Sequence, residues 1–429
     1  MNSSASLSAS DLWSLFFCGL LAASFILQQW LAARQIRHVA AHRSSVPPAF
    51  AAKVPLDAHQ RAADYTIAKT RLGMLETAWS MALALGWTLL GGLEQLNLAL
   101  LRAVGAGLLQ ELLVLTAFVT INVILELPFA LYKTFGIESR FGFNRTSPRL
   151  WLADVARSAL VSALIGLPVA LGFLWLMRET GRSWWLWTWA GWMSLNLLLL
   201  WAYPVLIAPL FNRFLPLPDG PLKQGLERLL QRCGYRTSGL FVMDSSRRSG
   251  HGNAYFTGFG RTKRVVLYDT LLQQLEPEEV EAVIAHELGH NAHHHILQRL
   301  ALLAVLSFGG FALLGWLIKQ TWFYTGLGVT PNIAWGIDAP SNALALTLFI
   351  LVLPHVTTLL APVLSGWSRR QEFEADAFAT KCAPAGALER ALLKLFRDNA
   401  STLTPDPLYA RFFYSHPPAS ERLMRLRAE

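Results

Sequence analysis

Residues 286–290 read His286-Glu287-Leu288-Gly289-His290. On a helix, positions i and i+4 lie about 40° apart around the axis. Two imidazoles at that spacing point the same way and can grip one metal ion. Glu287 stands beside them, placed to polarise a metal-bound water without being a ligand itself. The chemistry available to such a pattern is hydrolysis by an activated water. It requires a helical segment and a third ligand, because a catalytic zinc takes three protein ligands and keeps one position open for water.

A candidate third ligand lies some eighty residues on. The segment 368–376 reads Ser-Arg-Arg-Gln-Glu-Phe-Glu-Ala-Asp and continues into AFATKCAPAGALERALLKL, which looks helical. Glu372 and Asp376 are four apart and share a face, whereas Glu374 is rotated by about 200° from Glu372. We therefore expect Glu372 to complete the metal set and Asp376 to orient a ligand histidine through its far N–H. A surface helix of mixed charge is the plainer alternative, and the His-Glu-x-x-His pattern on the same membrane face weighs against it. His293, His294 and His295 tempt one to add ligands, but are expected as solvated or interfacial side chains on the rim. Cys382 is expected as a small core residue.

The elements that must position these groups can be read next. PEEVEAVIAHELGHNAHHH carries apolar residues at helical spacing, with Pro277 near its start and Glu278 and Glu279 favourable in a first turn. The surrounding stretch, 210–298, reads as an α/β insertion. PDGPLKQGLERLLQRCG resembles a helix ended by Gly234, while GLFVMD and RVVLYDTLL resemble short strands joined by the glycine-rich turn SGHGNAYFTGFG.

Elsewhere the chain is apolar. Of 429 residues 53% are hydrophobic and 15% charged, with 16 Trp and a mean hydropathy of +0.35. Soluble domains carry about 25% charged residues, so a multi-spanning membrane protein is indicated. Seven segments are apolar enough to cross about 30 Å of hydrocarbon, at about 12–32, 76–93, 107–131, 155–177, 184–209, 299–319 and 341–364. The second is the shortest. The first is too long for a cleaved signal and is followed by Arg34 and Arg37, as in a retained anchor. WWLWTW at 184–189 reads as an interfacial belt. Asn122, Glu126 and His355 fall inside spans, where ionisable or polar groups favour a polar interior over lipid.

Basic residues crowd the first, third and fifth connections and the tail, which places those on the cytoplasmic side and the N-terminus outside. The metal motif then faces the cytoplasm. The units expected are 1–209 with five spans, 210–298 as the catalytic insertion, 299–364 with two spans, and 365–429 as a cytoplasmic tail. The net charge of +9 flanks apolar segments and forms no single basic face, so nucleic acid is not an expected partner. Cys18, Cys233 and Cys382 are odd in number and widely spaced, which argues against a disulfide framework.

FGIESRFGFNRTSP (135–148), RSGHGNAYFTGFGRTKRVVLYDTLL, HELGH, SRRQEFEADAFA and YSHPPASERL, in order along the chain, resemble the type I CAAX prenyl endopeptidases, a similarity that runs from about residue 60 to the C-terminus. The resemblance implies seven membrane helices enclosing a chamber, with a zincin-like cytoplasmic insertion and one catalytic Zn²⁺. Its zinc-ligand Glu matches Glu372 and its following Asp matches Asp376. Its H-x-N-A-Y element matches His251 to Tyr255, a strand-like segment at the cleft, with Asn253 binding substrate backbone. Its late His matches His416, which would stabilise an oxyanion. Arg422, in the E-R-L that follows, would serve substrate binding or pair with active-site carboxylates.

The expected reaction is peptide hydrolysis without a covalent intermediate, with Glu287 moving the proton. The expected substrates are proteins ending in a prenylated Cys and three further residues, in a membrane expected to be a bacterial inner membrane rather than endoplasmic reticulum. Two other readings stand beside this one. A quality-control protease would clip damaged membrane proteins, and a transporter or scaffold would keep zinc for structure, which would need a fourth protein ligand.

Overall fold

The computed structural model describes residues 7–235, 239–257 and 264–428. The membrane part begins with α1 (Ala9–Ala41), whose first turn is closed reciprocally: Asp11 N–H donates to Ser8 Oγ and Ser8 N–H to the Asp11 carboxylate. It pairs with α2 (Leu56–Trp87). Then come α3 (Gly92–Val104), α4 (Leu108–Leu131), which runs into a π-helical turn at Tyr132–Glu138, α5 (Pro148–Glu179) and α6 (Trp184–Ala202). Ser147 caps α5 by accepting from Leu150 N–H, with Pro148 at its first position.

Among the described residues six helical stretches are by length and composition alone apolar enough to cross a membrane: Ala9–Ala41, Leu108–Glu138, Pro148–Glu179, Gly181–Phe211, His295–Leu317 and Asn342–Cys382. The second expected span, 76–93, fails that test. It is the C-terminal part of α2, whose first half carries Asp57, Arg61, Asp64, Lys69, Arg71 and Glu76, and the helix ends at Trp87. Only 11% of the apolar window is buried in the second, third and fourth of the six. The total surface, 21931 Å², exceeds the about 16,000 Å² of a compact globular chain of this mass. The spans pack on their neighbours yet leave much of their surface uncovered.

The insertion follows α7 (Ala208–Phe211): β1 (Phe214–Pro216), α8 (Pro221–Arg232), β2 (Gly239–Met243), β3 (Ala254–Thr257), β4 (Arg264–Tyr268), α9 (Asp269–Gln274) and α10 (Pro277–Ala292). Gly234 does end α8, at φ +74°, a conformation that a Cβ disfavours. The sheet has the order β1-β2-β4-β3, with β2 and β4 parallel and the outer strands antiparallel. The expected glycine-rich turn thus holds a strand, β3, which lies at an edge. Residues 258–260 of that turn lie outside the described residues.

The remaining helices are α11 (His295–Leu317), α12 (Thr321–Thr325), α13 (Asn342–Cys382), α14 (Ala387–Asp398), α15 (Pro407–Phe413) and α16 (Ala419–Ala428). The unit boundary expected at 364/365 falls within α13, so the last span and the start of the tail are one continuous helix. Leu226 and Leu229 of α8, Val265 and Leu267 of β4, Ile284 and Leu288 of α10, and Leu388 of α14 form a buried core around α10.

The reading of the Trp cluster needs amendment, while the intramembrane polar residues and the cysteines do not contradict what was expected of them. Trp184 is buried, and Trp189 Nε1 donates to Ala304 O and Ser307 Oγ of α11, so much of the Trp cluster is helix packing, not lipid belt. Asn122 accepts from Trp87 Nε1, His355 Nδ1 lies 3.0 Å from Ser24 Oγ, and Glu126 is exposed. All three cysteines are free.

Candidate active site

The site forms where α10 crosses α13. Helix α10 starts at Pro277 with a reciprocal cap between Glu276 and Glu279, the latter accepting from Glu276 N–H at 2.9 Å. At the crossing the backbones touch: a Cβ on Gly289 would stand 2.8 Å from Ala375 Cα and 2.9 Å from Ala375 O. Glycine between the ligand histidines therefore lets α13 approach until Glu372 reaches them.

Glu372 is 2% exposed. Its Oε2 lies 3.5 Å from His286 Nε2, and its Oε1 lies 3.4 Å from His290 Nε2. The three ligand atoms fall within 4.8 Å of one another. Oε2 of Glu372 is buried with no hydrogen-bond partner, a costly state that a bound cation would relieve. Two imidazoles and a carboxylate are also the donor set of a catalytic zinc site. The residues fit a metal.

The far nitrogen of His286, Nδ1, lies 2.8 Å from Asp376 Oδ1, short although poorly aligned for a hydrogen bond. Asp376 accepts from Arg422 Nε at 2.9 Å and from a terminal nitrogen of Arg422 at 2.5 Å. Burial opposes charge on His286, but Asp376 and Glu372 outweigh it and push the imidazole up to about 9 in the metal-free chain. Burial raises the Glu287 carboxyl, partly offset by His286 and His290.

His416 approaches from the tail, with Nε2 3.4 Å from Glu372 Oε1 and Nδ1 3.0 Å from Ser415 Oγ. The side chain is exposed at the site's mouth, and crowding by neighbouring groups lowers it below the ordinary imidazole value, against the pull of Glu372. It opens onto a cavity of about 840 Å³ lined by Gln28, Gln35, Thr70, Asn399 and Arg422 among others. Asn253 is exposed just before β3, its Oδ1 accepting from Ala254 N–H, and β3 packs against α10. Of the two roles open to Arg422, the geometry displays the pairing with a carboxylate; the guanidinium is buried against Asp376.

Two partners were missed by sequence reasoning. His293 and His294 are exposed as expected, but His295 is buried, with Nδ1 2.9 Å from His290 Nδ1 and Nε2 3.1 Å from Glu374 Oε2. It gets there because His294 adopts a left-handed conformation, φ +56°, turning the chain back after α10. Glu138 accepts from Tyr65 at 2.7 Å and lies 3.6 Å from His251 Nε2, tying the loop after α4 to the lead-in of β3. The only signal for Glu138 was its place in the 135–148 motif.

Residues 216–429 match peptidase family M48, and residues 35–213 match the CAAX prenyl protease N-terminal region of five membrane helices. The chain belongs to family M48. A CAAX prenyl protease 1 homolog of Arabidopsis thaliana is 39% identical over 326 residues, covering 75% of this chain and 74% of that one. CAAX prenyl protease 1 of Saccharomyces cerevisiae is 31% identical, covering 96% and 95%. The crystal structure of S. mikatae Ste24p superposes with a TM-score of 0.89 at 28% identity, covering 96% and 99%. The M48 assignment makes the chain a multi-pass membrane metalloprotease acting on peptide or protein substrates.

Proposed function

We propose that the chain is a zinc-dependent endopeptidase that removes the last three residues of proteins carrying a prenylated cysteine. The observation that carries the zinc reading is the convergence of His286, His290 and Glu372 within 4.8 Å, beside Glu287. Bound there, zinc would polarise a water and the scissile carbonyl. Glu287 takes the water's proton and delivers it to the leaving amine; its raised carboxyl suits a group that must both accept and release a proton.

Ser415 can donate its hydroxyl hydrogen to His416 Nδ1, which leaves a proton on Nε2 to meet the oxyanion. The open edge of β3 offers backbone groups to an extended peptide, and Asn253 holds that peptide at its entry. Asp376 with Arg422 fixes the His286 ring.

The names of the matched relatives support a prenylated substrate, as does a site at the foot of membrane spans, where a lipidated residue is already concentrated. With 76–93 counted as a crossing, as the five membrane helices of the matched N-terminal region allow, the basic residues of the odd connections and the tail favour a cytoplasmic site with the N-terminus outside. The test is a farnesylated peptide and its unlipidated twin, given side by side to purified protein and to Glu287→Ala, with cleavage mapped by mass spectrometry. The expected result is cleavage just after the lipidated Cys, lost in the variant. Equal cleavage of both peptides overturns the prenyl preference in favour of broader membrane-protein clearance, and no cleavage overturns the peptidase reading.

A further inference from the structure

The two ligand histidines are not held alike. His286 turns its far nitrogen to a carboxylate, Asp376, whereas His290 turns its own to a third histidine. Each support ends on an arginine: Arg422 binds Asp376, and Arg370 Nε donates to Glu374 Oε1 at 3.0 Å. His295, 1% exposed, stands between His290 and Glu374.

We propose that His295 is a positioning residue for the metal site, fixing the tautomer and ring direction of His290 through a relay that runs from His290 to His295 to Glu374. A metal-binding His290 presents an unprotonated Nε2 and so carries its proton on Nδ1. At 2.9 Å that proton can go only to His295 Nδ1, which must then be an acceptor. His295 consequently keeps its own proton on Nε2, where Glu374 accepts it at 3.1 Å. Every proton in the relay has one place to be. Glu374 is held as an acceptor by Arg370 one turn earlier on the same helix.

The relay also explains how Glu374, on the opposite side of α13 from Glu372, serves the same site. Glu372 faces the ligand atoms directly, while Glu374 reaches round the α10–α11 corner to the back of His290. Helix α13 thereby meets the His290 ring directly through Glu372 and, from behind, through His295 and Glu374.

This inference rests on the proposed metal site, and its test separates the two. Metal-stripped full-length protein in detergent is titrated with zinc against a competing chelator, and cobalt loading is followed by its visible absorption. His295→Phe fills the space without an acceptor and should weaken zinc binding about 10- to 100-fold, with a changed cobalt spectrum. His295→Asn sets a carbonyl oxygen near the Nδ1 position and should recover most of that loss. Glu374→Ala, at a partly exposed position outside the core, should weaken binding about 3- to 10-fold while lowering the thermal midpoint of the metal-free protein less than His295→Phe does.

Wild-type zinc affinity in both His295→Phe and Glu374→Ala overturns the relay. If His295→Phe does not fold, Glu374→Ala decides alone. Failure of the wild-type chain to bind zinc overturns the metal reading and the relay with it.

Discussion

Gly289 and Ala375 touch backbone to backbone, since a Cβ on the glycine would sit 2.8 Å from the alanine Cα. No flexible side chain stands there to yield. The expected outcome of Gly289→Ala is a separation of α10 from α13 and a Glu372 that no longer reaches both imidazoles. Overpacking of this kind costs about 1–3 kcal/mol. Displacement of a reacting group by about 1 Å can cost about 100-fold in rate. Peptidase activity should therefore fall further than the melting temperature suggests; equal zinc affinity and activity in the variant would show that the crossing tolerates a methyl group.

Removing the base should separate binding from chemistry. Glu287→Gln keeps the shape and both imidazoles, so zinc content measured by metal analysis should stay near one per chain. The rate should drop by about 100- to 10,000-fold, the range of general-base contributions. Loss of zinc in step with activity would instead make Glu287 a structural partner of the ligands.

Arg422 is buried and paired with Asp376 through two nitrogens. Arg422→Met leaves a buried carboxylate without its cation, which costs about 3–5 kcal/mol. The double variant Arg422→Met with Asp376→Leu removes the orphan charge and should recover part of that stability in denaturation of the metal-free protein. Activity should not return with it, because His286 has lost its support. A substrate-binding Arg422 would show the reverse: little stability change and a raised KM.

The metal-free protein should bind zinc more tightly as pH rises. His286 sits between Asp376 and Glu372 and is held up to about 9, above its ordinary value of 6.5. Its folded value exceeds its unfolded one, so the stability it lends is fully present below about pH 6.5 and is lost as pH rises through about 9. Zinc must displace that proton. Between these limits zinc affinity should increase about tenfold per pH unit and then level off. A pH-independent affinity across this window, measured by chelator competition, would mean that His286 is already neutral.

Much of the site was legible because its geometry is helical and local. The four-residue spacings of His286 to His290 and of Glu372 to Asp376 translate directly into shared faces. His295 was not legible, because its position depends on one left-handed residue, His294, that reverses the chain; a straight continuation would have carried it elsewhere. β3 was legible only through the resemblance at His251 to Tyr255, because on its own residues it is four long within a glycine-rich stretch whose ends signal a turn.

The spans were read from hydropathy alone, which served where apolar runs were long. Its signal is weakest at 76–93, where the apolar end of α2 ends at Trp87 behind a charged first half. Packing partners such as Trp189 with Ser307 depend on neighbours that no single segment reveals.

Helix α13 starts where Glu111 of α4 accepts from Asn342 N–H at 2.7 Å and from Ala343 N–H at 3.3 Å, and it runs unbroken for 41 residues to Cys382. Such a rod is about 60 Å long, and a pivot of about one degree at one end swings the other by about 1 Å. Bilayer thickness, lateral pressure and lipid order all act on its upper two-thirds. Glu372 stands about 45 Å along that helix, so a tilt of the span would be carried to the ligand carboxylate, and the lipid or detergent around the enzyme would bear on its activity.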